Sequence, residues 1–171
     1  MEVKAQTSRE YFRSLQIVFF ALIAGQFIFA MIALSLRQMG AIDIVDGLDD
    51  IFLFIVPLFI IGGVTGSWFF SRNRIKASII KTSLVEKMSD YRAIMIIRYA
   101  LLEGPTFLAI IVFLMTGNLL FLGMAGIVII FFLLLRPFPQ RAVKDLQLNP
   151  MEEQSVLDPD KVITEIKSNG V

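Results

Sequence analysis

The chain contains no cysteine and no histidine. Without cysteine there is no disulfide, no thiol nucleophile and no thiolate metal site. Without histidine the commonest metal ligand and the commonest general base are missing. A Ser-His-Asp or Cys-His catalyst cannot be built, and no cluster of the remaining polar residues has catalytic spacing. The expectation is therefore a non-enzyme, with no catalytic residue, no metal and no cofactor. An excess of one charge is missing too. Sixteen Lys and Arg stand against 15 Asp and Glu, a net charge of +1, so nothing draws the chain to nucleic acid.

What is present is apolar. Of 171 residues 56% are hydrophobic, and the mean hydropathy is +0.73. Ordinary soluble domains are about 45–50% apolar, so a soluble globular domain is excluded. Ile17–Leu36 and Ile51–Phe70 are each uncharged over 20 positions. That is about 30 Å of helix, enough to cross a bilayer. A third span is expected over about 95–115, and a fourth over Leu119–Leu135, whose 17 residues are at the short limit. Lys4, Arg9 and Arg13 precede an apolar run too long for the core of a signal peptide, so the first span is expected to remain in place.

The expected fold is all-α: a four-helix transmembrane bundle of two hairpins with a short cytoplasmic helical tail. Its organisation is a cytoplasmic N-terminus (1–16), a transmembrane domain (17–136) and a tail (137–171). The connections set the orientation. Arg37–Asp50 is acidic, Thr116-Gly117-Asn118 is neutral, and Ser71–Arg92 is basic. The positive-inside rule then places both termini and the middle connection in the cytoplasm.

Local signals refine the boundaries. Ser8 with Glu10 is a weak helix start, and Ser83-x-x-Glu86 is a capping box. Asp46-Gly47 reads as a turn, and Asp49 or Asp50 as a cap. Turn and cap duties account for the acids of 43–50 better than calcium, because the spacing is not that of an EF-hand. Ile75, Ile79 and Ile80 among bases resemble a short interfacial helix. Trp68 fits an interfacial anchor. In the tail, helices are expected from Pro139, from Asn149-Pro150 and from Asp158-Pro159, with Lys167 to Val171 frayed.

One residue breaks the rules of its surroundings. Glu103 lies near the middle of Arg98–Asn118, with Gly104-Pro105 directly after it. An ionised carboxylate in hydrocarbon costs roughly 2.5–3.5 kcal/mol on insertion scales. Such a residue faces protein or water, finds a partner or keeps its proton. Pro105 has no N–H for the Leu101 carbonyl, and its ring crowds that oxygen, so a kink is expected. Glu103 is therefore the candidate ion-binding group. Tyr99, four residues earlier, shares its face and could hydrogen-bond to it. Gln26 is the mid-membrane polar residue of the first span and the first candidate partner for Glu103. Small residues mark helix-packing faces: Ala21 with Gly25, Gly62 with Gly66, and Ala100 with Gly104. They suit packing within the bundle, self-association or contact with a membrane-protein partner. The lipid bilayer is the one partner the composition requires.

The two halves resemble each other. Ile17–Ile32 aligns without gaps on Ile96–Ile111 at an offset of 79, with identities including Ala21/Ala100, Leu22/Leu101 and Gly25/Gly104. A parallel repeat of the two hairpins would follow.

The stretches FFALIAGQFIFA, ALLEGPTFLAI with TGN, LLRP and DLQLNPMEE resemble a family of small uncharacterised bacterial four-helix membrane proteins. The resemblance implies the bacterial cytoplasmic (inner) membrane and no activity. Ala100-Leu101-Leu102-Glu103 in two hairpins is also similar, over about a dozen residues, to the proteolipid ring subunits of rotary ATPases, where such a carboxylate carries the transported ion. This chain lacks the dense glycine repeat of the ring's inner helix and places its acid in the third span. The leading functional expectation is a non-enzymatic interaction or accessory component of the membrane. The alternative is a proton- or cation-coupled transporter, or a transporter or ring subunit, using Glu103.

Overall fold

In the computed structural model, which describes residues 2–45 and 47–168, helices account for about three quarters of the described residues. The elements run β1 (Glu2–Thr7), α1 (Ser8–Gln38), α2 (Asp49–Ile79), α3 (Leu84–Thr116), α4 (Leu119–Leu133), α5 (Pro139–Leu146), α6 (Pro150–Leu157) and β2 (Val162–Ser168). α1, α2 and α3 are long and apolar enough to cross a membrane. α4 is apolar, but its 15 residues rise only about 22 Å. The expected run to Leu135 ends in a turn, with the Leu135 N–H donating to Phe132 O at 2.9 Å. Asp46, expected in a turn, and residues 169–171 lie outside the described residues.

The chain divides into two compact units. One, the apolar unit, is Phe20–Trp68 with Arg98–Leu135; the other, the polar unit, is the remainder. The chain passes between them four times, at residues 19/20, 68/69, 97/98 and 135/136.

In the apolar unit α3 is central. Half of its apolar window is buried, against 11% for α2. The core gathers Ala33 of α1, Val56 of α2, Ala109, Ile110 and Phe113 of α3, and Phe121 and Ala125 of α4. α1 lies beside α3 and parallel to it: the Phe29 and Phe107 rings meet edge to face at 5.4 Å, and further along Arg37 lies against Gly117. Gly117 (φ +74°) closes the α3–α4 turn in the left-handed region that favours glycine. A Cβ there would also fall 2.6 Å from the Arg37 guanidinium. Asn118 then caps α4 by accepting from Leu120 N, and its amide donates to Asp49 Oδ1 at 3.1 Å.

In the polar unit the two ends of the chain meet. β1 and β2 pair antiparallel, from Glu2 opposite Ser168 to Thr7 opposite Val162. The tail is therefore not purely helical. The expected third tail helix at Pro159 is a turn, and Lys167 and Ser168, expected to fray, belong to a strand. The reason is a partner invisible to local pattern: β2 is stabilised by hydrogen bonds to a segment some 160 residues away in sequence. α5 and α6 do start at Pro139 and Pro150, and Asn149 with Glu152 forms a reciprocal capping box.

The start of α1 is displaced by one residue from expectation. Thr7 and Glu10 form the capping box, with Thr7 N to Glu10 Oε2 at 3.1 Å and Glu10 N to Thr7 Oγ1 at 3.3 Å. Ser8 is buried instead and donates to Val156 O at 2.6 Å. The short interfacial helix expected over 75–80 is the last part of α2, which continues without a break to Ile79.

Candidate functional site

α3 continues as a helix through Pro105. Pro105 has no N–H to donate, so the Leu101 carbonyl loses its helical partner. The structure places Gly63 of α2 against that point. A Cβ on Gly63 would fall 2.6 Å from Leu101 O and 2.6 Å from Pro105 Cγ. Only a glycine lets the two helices approach so closely here. Sequence reading singled out Gly62 and Gly66 and passed over Gly63. The neighbouring glycine that matters could be identified only by knowing which face of α2 meets Pro105.

The glycines expected on faces that pack within the bundle or against another copy have no close neighbour in their own chain. A Cβ on Gly25, Gly62, Gly66 or Gly104 would meet nothing within 4 Å. The reason is facing: the buried side of α3 is Tyr99, Leu102, Thr106, Ala109 and Phe113, and Ala100 and Gly104 lie on another side. Ala21 and Ala100 are likewise exposed. Beside the Gly63 contact, Gly62, Ala100, Leu101 and Gly104 line an open groove of about 720 Å³ along α2 and α3. Leu58, Phe59 and Leu108 extend its walls, which are almost wholly apolar.

Glu103 is half-buried and is not among the residues that line this groove. Among the described residues it makes no hydrogen bond or ion pair. Tyr99 is fully buried, and its hydroxyl donates to Leu135 O at 3.3 Å rather than to Glu103, with its ring 5.2 Å from that of Phe132. Gln26 is fully buried as well, and neither its amide nitrogen nor its amide oxygen has a partner. The expected Gln26–Glu103 hydrogen bond is therefore not made. Their depths nonetheless agree. Gln26 precedes Phe29 by three residues and Glu103 precedes Phe107 by four, so the two differ by about 1.5 Å along parallel helices. Among the described residues no group of three or more acidic side chains could hold a metal ion.

The arrangement is thus a small-residue groove along α2 and α3, and, on another face of α3, a half-buried carboxylate with a buried amide at similar depth on α1. No family model, curated protein or solved structure matches the chain.

Proposed function

We propose that the chain is a non-enzymatic integral membrane protein that crosses the bilayer four times and binds another transmembrane helix, its own copy or a partner's, along α2 and α3. The four-span reading is supported by the ends of the chain. β1 and β2 pair in one sheet, which fits both strands lying on one side and an even number of crossings. α4 with its terminal turn is then the fourth span, tolerated by local thinning of the bilayer. The basic connection 71–92 belongs on the same side as that sheet, the cytoplasmic side by the positive-inside rule. The offset of 79 between the halves agrees with the parallel contacts of α1 and α3, whose partners Phe29 and Phe107 are separated by 78. This supports a parallel repeat of two hairpins.

The observation that carries the binding reading is the open groove: a Cβ on Gly62 or Gly104 would meet no atom of another helix within 4 Å. Lipid chains fill such a groove less well than a helix whose backbone can approach closely. The absence of cysteine makes the test clean. A single Leu58→Cys variant should cross-link to the occupant in native membranes, and Gly62→Ile with Gly104→Ile should abolish the cross-link while leaving thermal stability unchanged. An unaltered cross-link in the double variant would overturn the reading.

A second reading is favoured by the half-buried, unpartnered Glu103 and the unpaired Gln26 amide: a proton- or cation-coupled transporter, or a subunit of one. In liposomes, flux in wild type that vanishes in a folded Glu103→Gln variant would support it, and absence of flux in both would remove it.

A further inference from the structure

The polar unit contains a cleft of about 340 Å³ where the end of α2 meets the first turns of α3. Its polar wall is Arg74, Ser78, Lys81 and Asp90, and its apolar wall includes Phe70 and Ile97. Phe70, Arg74 and Ser78 recur every four residues, so the lining changes from apolar to charged over about 12 Å of α2. The polar end is pre-ordered. Asp90 accepts from the buried Ser78 hydroxyl at 2.8 Å and from Lys81 Nζ at 2.9 Å. Arg74 stacks its guanidinium 5.6 Å over the Phe70 ring, and among the described residues it forms no salt bridge. Two cations stand against one carboxylate. Among the lining residues the cations exceed the carboxylates by one, that carboxylate is already engaged, and Glu86 acts on Lys81 only more weakly than Asp90 does.

We propose that this cleft binds the phosphate ester of an anionic phospholipid, with Arg74 and Lys81 on the phosphate and the glycerol and first acyl carbons along Phe70 and Ile97. The charge balance matches one phosphodiester with no compensating cation of its own. A choline or ethanolamine head group brings a second positive charge, and Asp90 is not available to receive it. Bases around the cleft, such as Lys76, add general attraction to an anionic surface. The cleft adds a place for one molecule, reachable from hydrocarbon at one end and from water at the other. The proposal rests on the membrane reading above.

The test uses the full chain in detergent and follows the thermal midpoint, because a ligand that binds the folded state raises it. Three probes are added separately: short-chain phosphatidylglycerol, short-chain phosphatidylcholine and inorganic phosphate. The expected result is stabilisation by phosphatidylglycerol alone. Arg74→Gln should weaken that response roughly fivefold in apparent affinity, the scale of one basic contact at an anionic head group. Lys81→Gln should weaken it similarly, and Lys76→Gln, outside the cleft, should leave it unchanged. Midpoints without lipid separate weaker binding from weaker folding. Equal stabilisation by inorganic phosphate would mean a free-anion site and overturn the lipid assignment. Equal stabilisation by phosphatidylcholine, or an equal loss in Lys76→Gln, would mean diffuse attraction and overturn it too. Alkaline carbonate extraction keeps the two readings apart. Release of the wild-type chain would remove the membrane reading, whereas retention with no effect of Arg74→Gln or Lys81→Gln would remove only the lipid site.

Discussion

The two units are held together by different means. The polar unit is fastened by directional bonds between segments far apart in sequence. Lys87 Nζ meets both Glu152 carboxylate oxygens at 2.9 Å, Tyr11 donates to Met88 O at 2.7 Å, and Arg92 reaches Gln6 and Ser14 while stacking 4.5 Å over Tyr11. In the apolar unit several side-chain hydrogen bonds turn back onto their own helix, as in Thr106 to Leu102 O, Thr116 to Val112 O and Thr65 to Ile61 O. Its helices meet through shape instead: Gly63 under Pro105, Phe29 against Phe107. The contrast matches the composition of each unit, one rich in long apolar helices. In water, burial of apolar surface holds elements together and specific bonds orient them. In lipid the apolar drive between helices disappears and close packing takes over.

The largest effect should come from the polar unit. Lys87 and Glu152 are about nine-tenths buried, so Lys87→Ala leaves a carboxylate uncompensated and should cost about 3–5 kcal/mol. Chemical denaturation should show it, with early protease cleavage of the tail. If stability is unchanged, the directional half of the comparison fails. Gly63→Ala tests the other half. Its new Cβ meets a backbone oxygen, which cannot move aside as a side-chain tip can, and a loss of about 1–3 kcal/mol is expected. Gly62→Ala and Gly104→Ala should be close to neutral in the same melt. Equal losses at all three would mean that shape is not what joins α2 to α3.

Smaller still is Asn149→Ala, which removes the reciprocal cap of α6 and should cost about 1 kcal/mol. The smallest effect is expected at Lys81. Its hydrogen bond to Asp90 holds the ammonium above its ordinary value of 10.5. The stabilisation is therefore fully present below pH 10.5 and lost as pH rises through the elevated value. The difference in thermal midpoint between wild type and Lys81→Met should stay constant at neutral pH and shrink only in strong alkali. A difference that instead grew in alkali would reverse the assignment.

Much of the apolar unit was legible because hydrocarbon imposes a strong rule on composition. Twenty uncharged residues announce a helix whatever they pack against, and α1, α2 and α3 lie where the runs and the Ser83 signal place them. What was not legible was rotation about each helix axis. The apolar pattern of a lipid-facing helix has no polar side, so the sequence could not say that Gly63 and not Gly62 meets Pro105. Nor could it say that Ala100 and Gly104 would be left open. Glu103 stood out as chemistry, but Tyr99 and Gln26, chosen as its partners by spacing and depth, do not bond to it. Tyr99 found Leu135 O on the neighbouring helix end. The strands were invisible for the opposite reason. Six or seven polar-rich residues carry little local signal, and each strand exists because of the other.

That last pairing makes the two strands interdependent. β1 and β2 are each other's partners, so neither keeps its ladder of backbone hydrogen bonds without the other. Cutting away residues 2–7 would leave the edge of β2 open, and cutting away 162–168 would leave the edge of β1 open. A truncation of either strand is therefore felt at both.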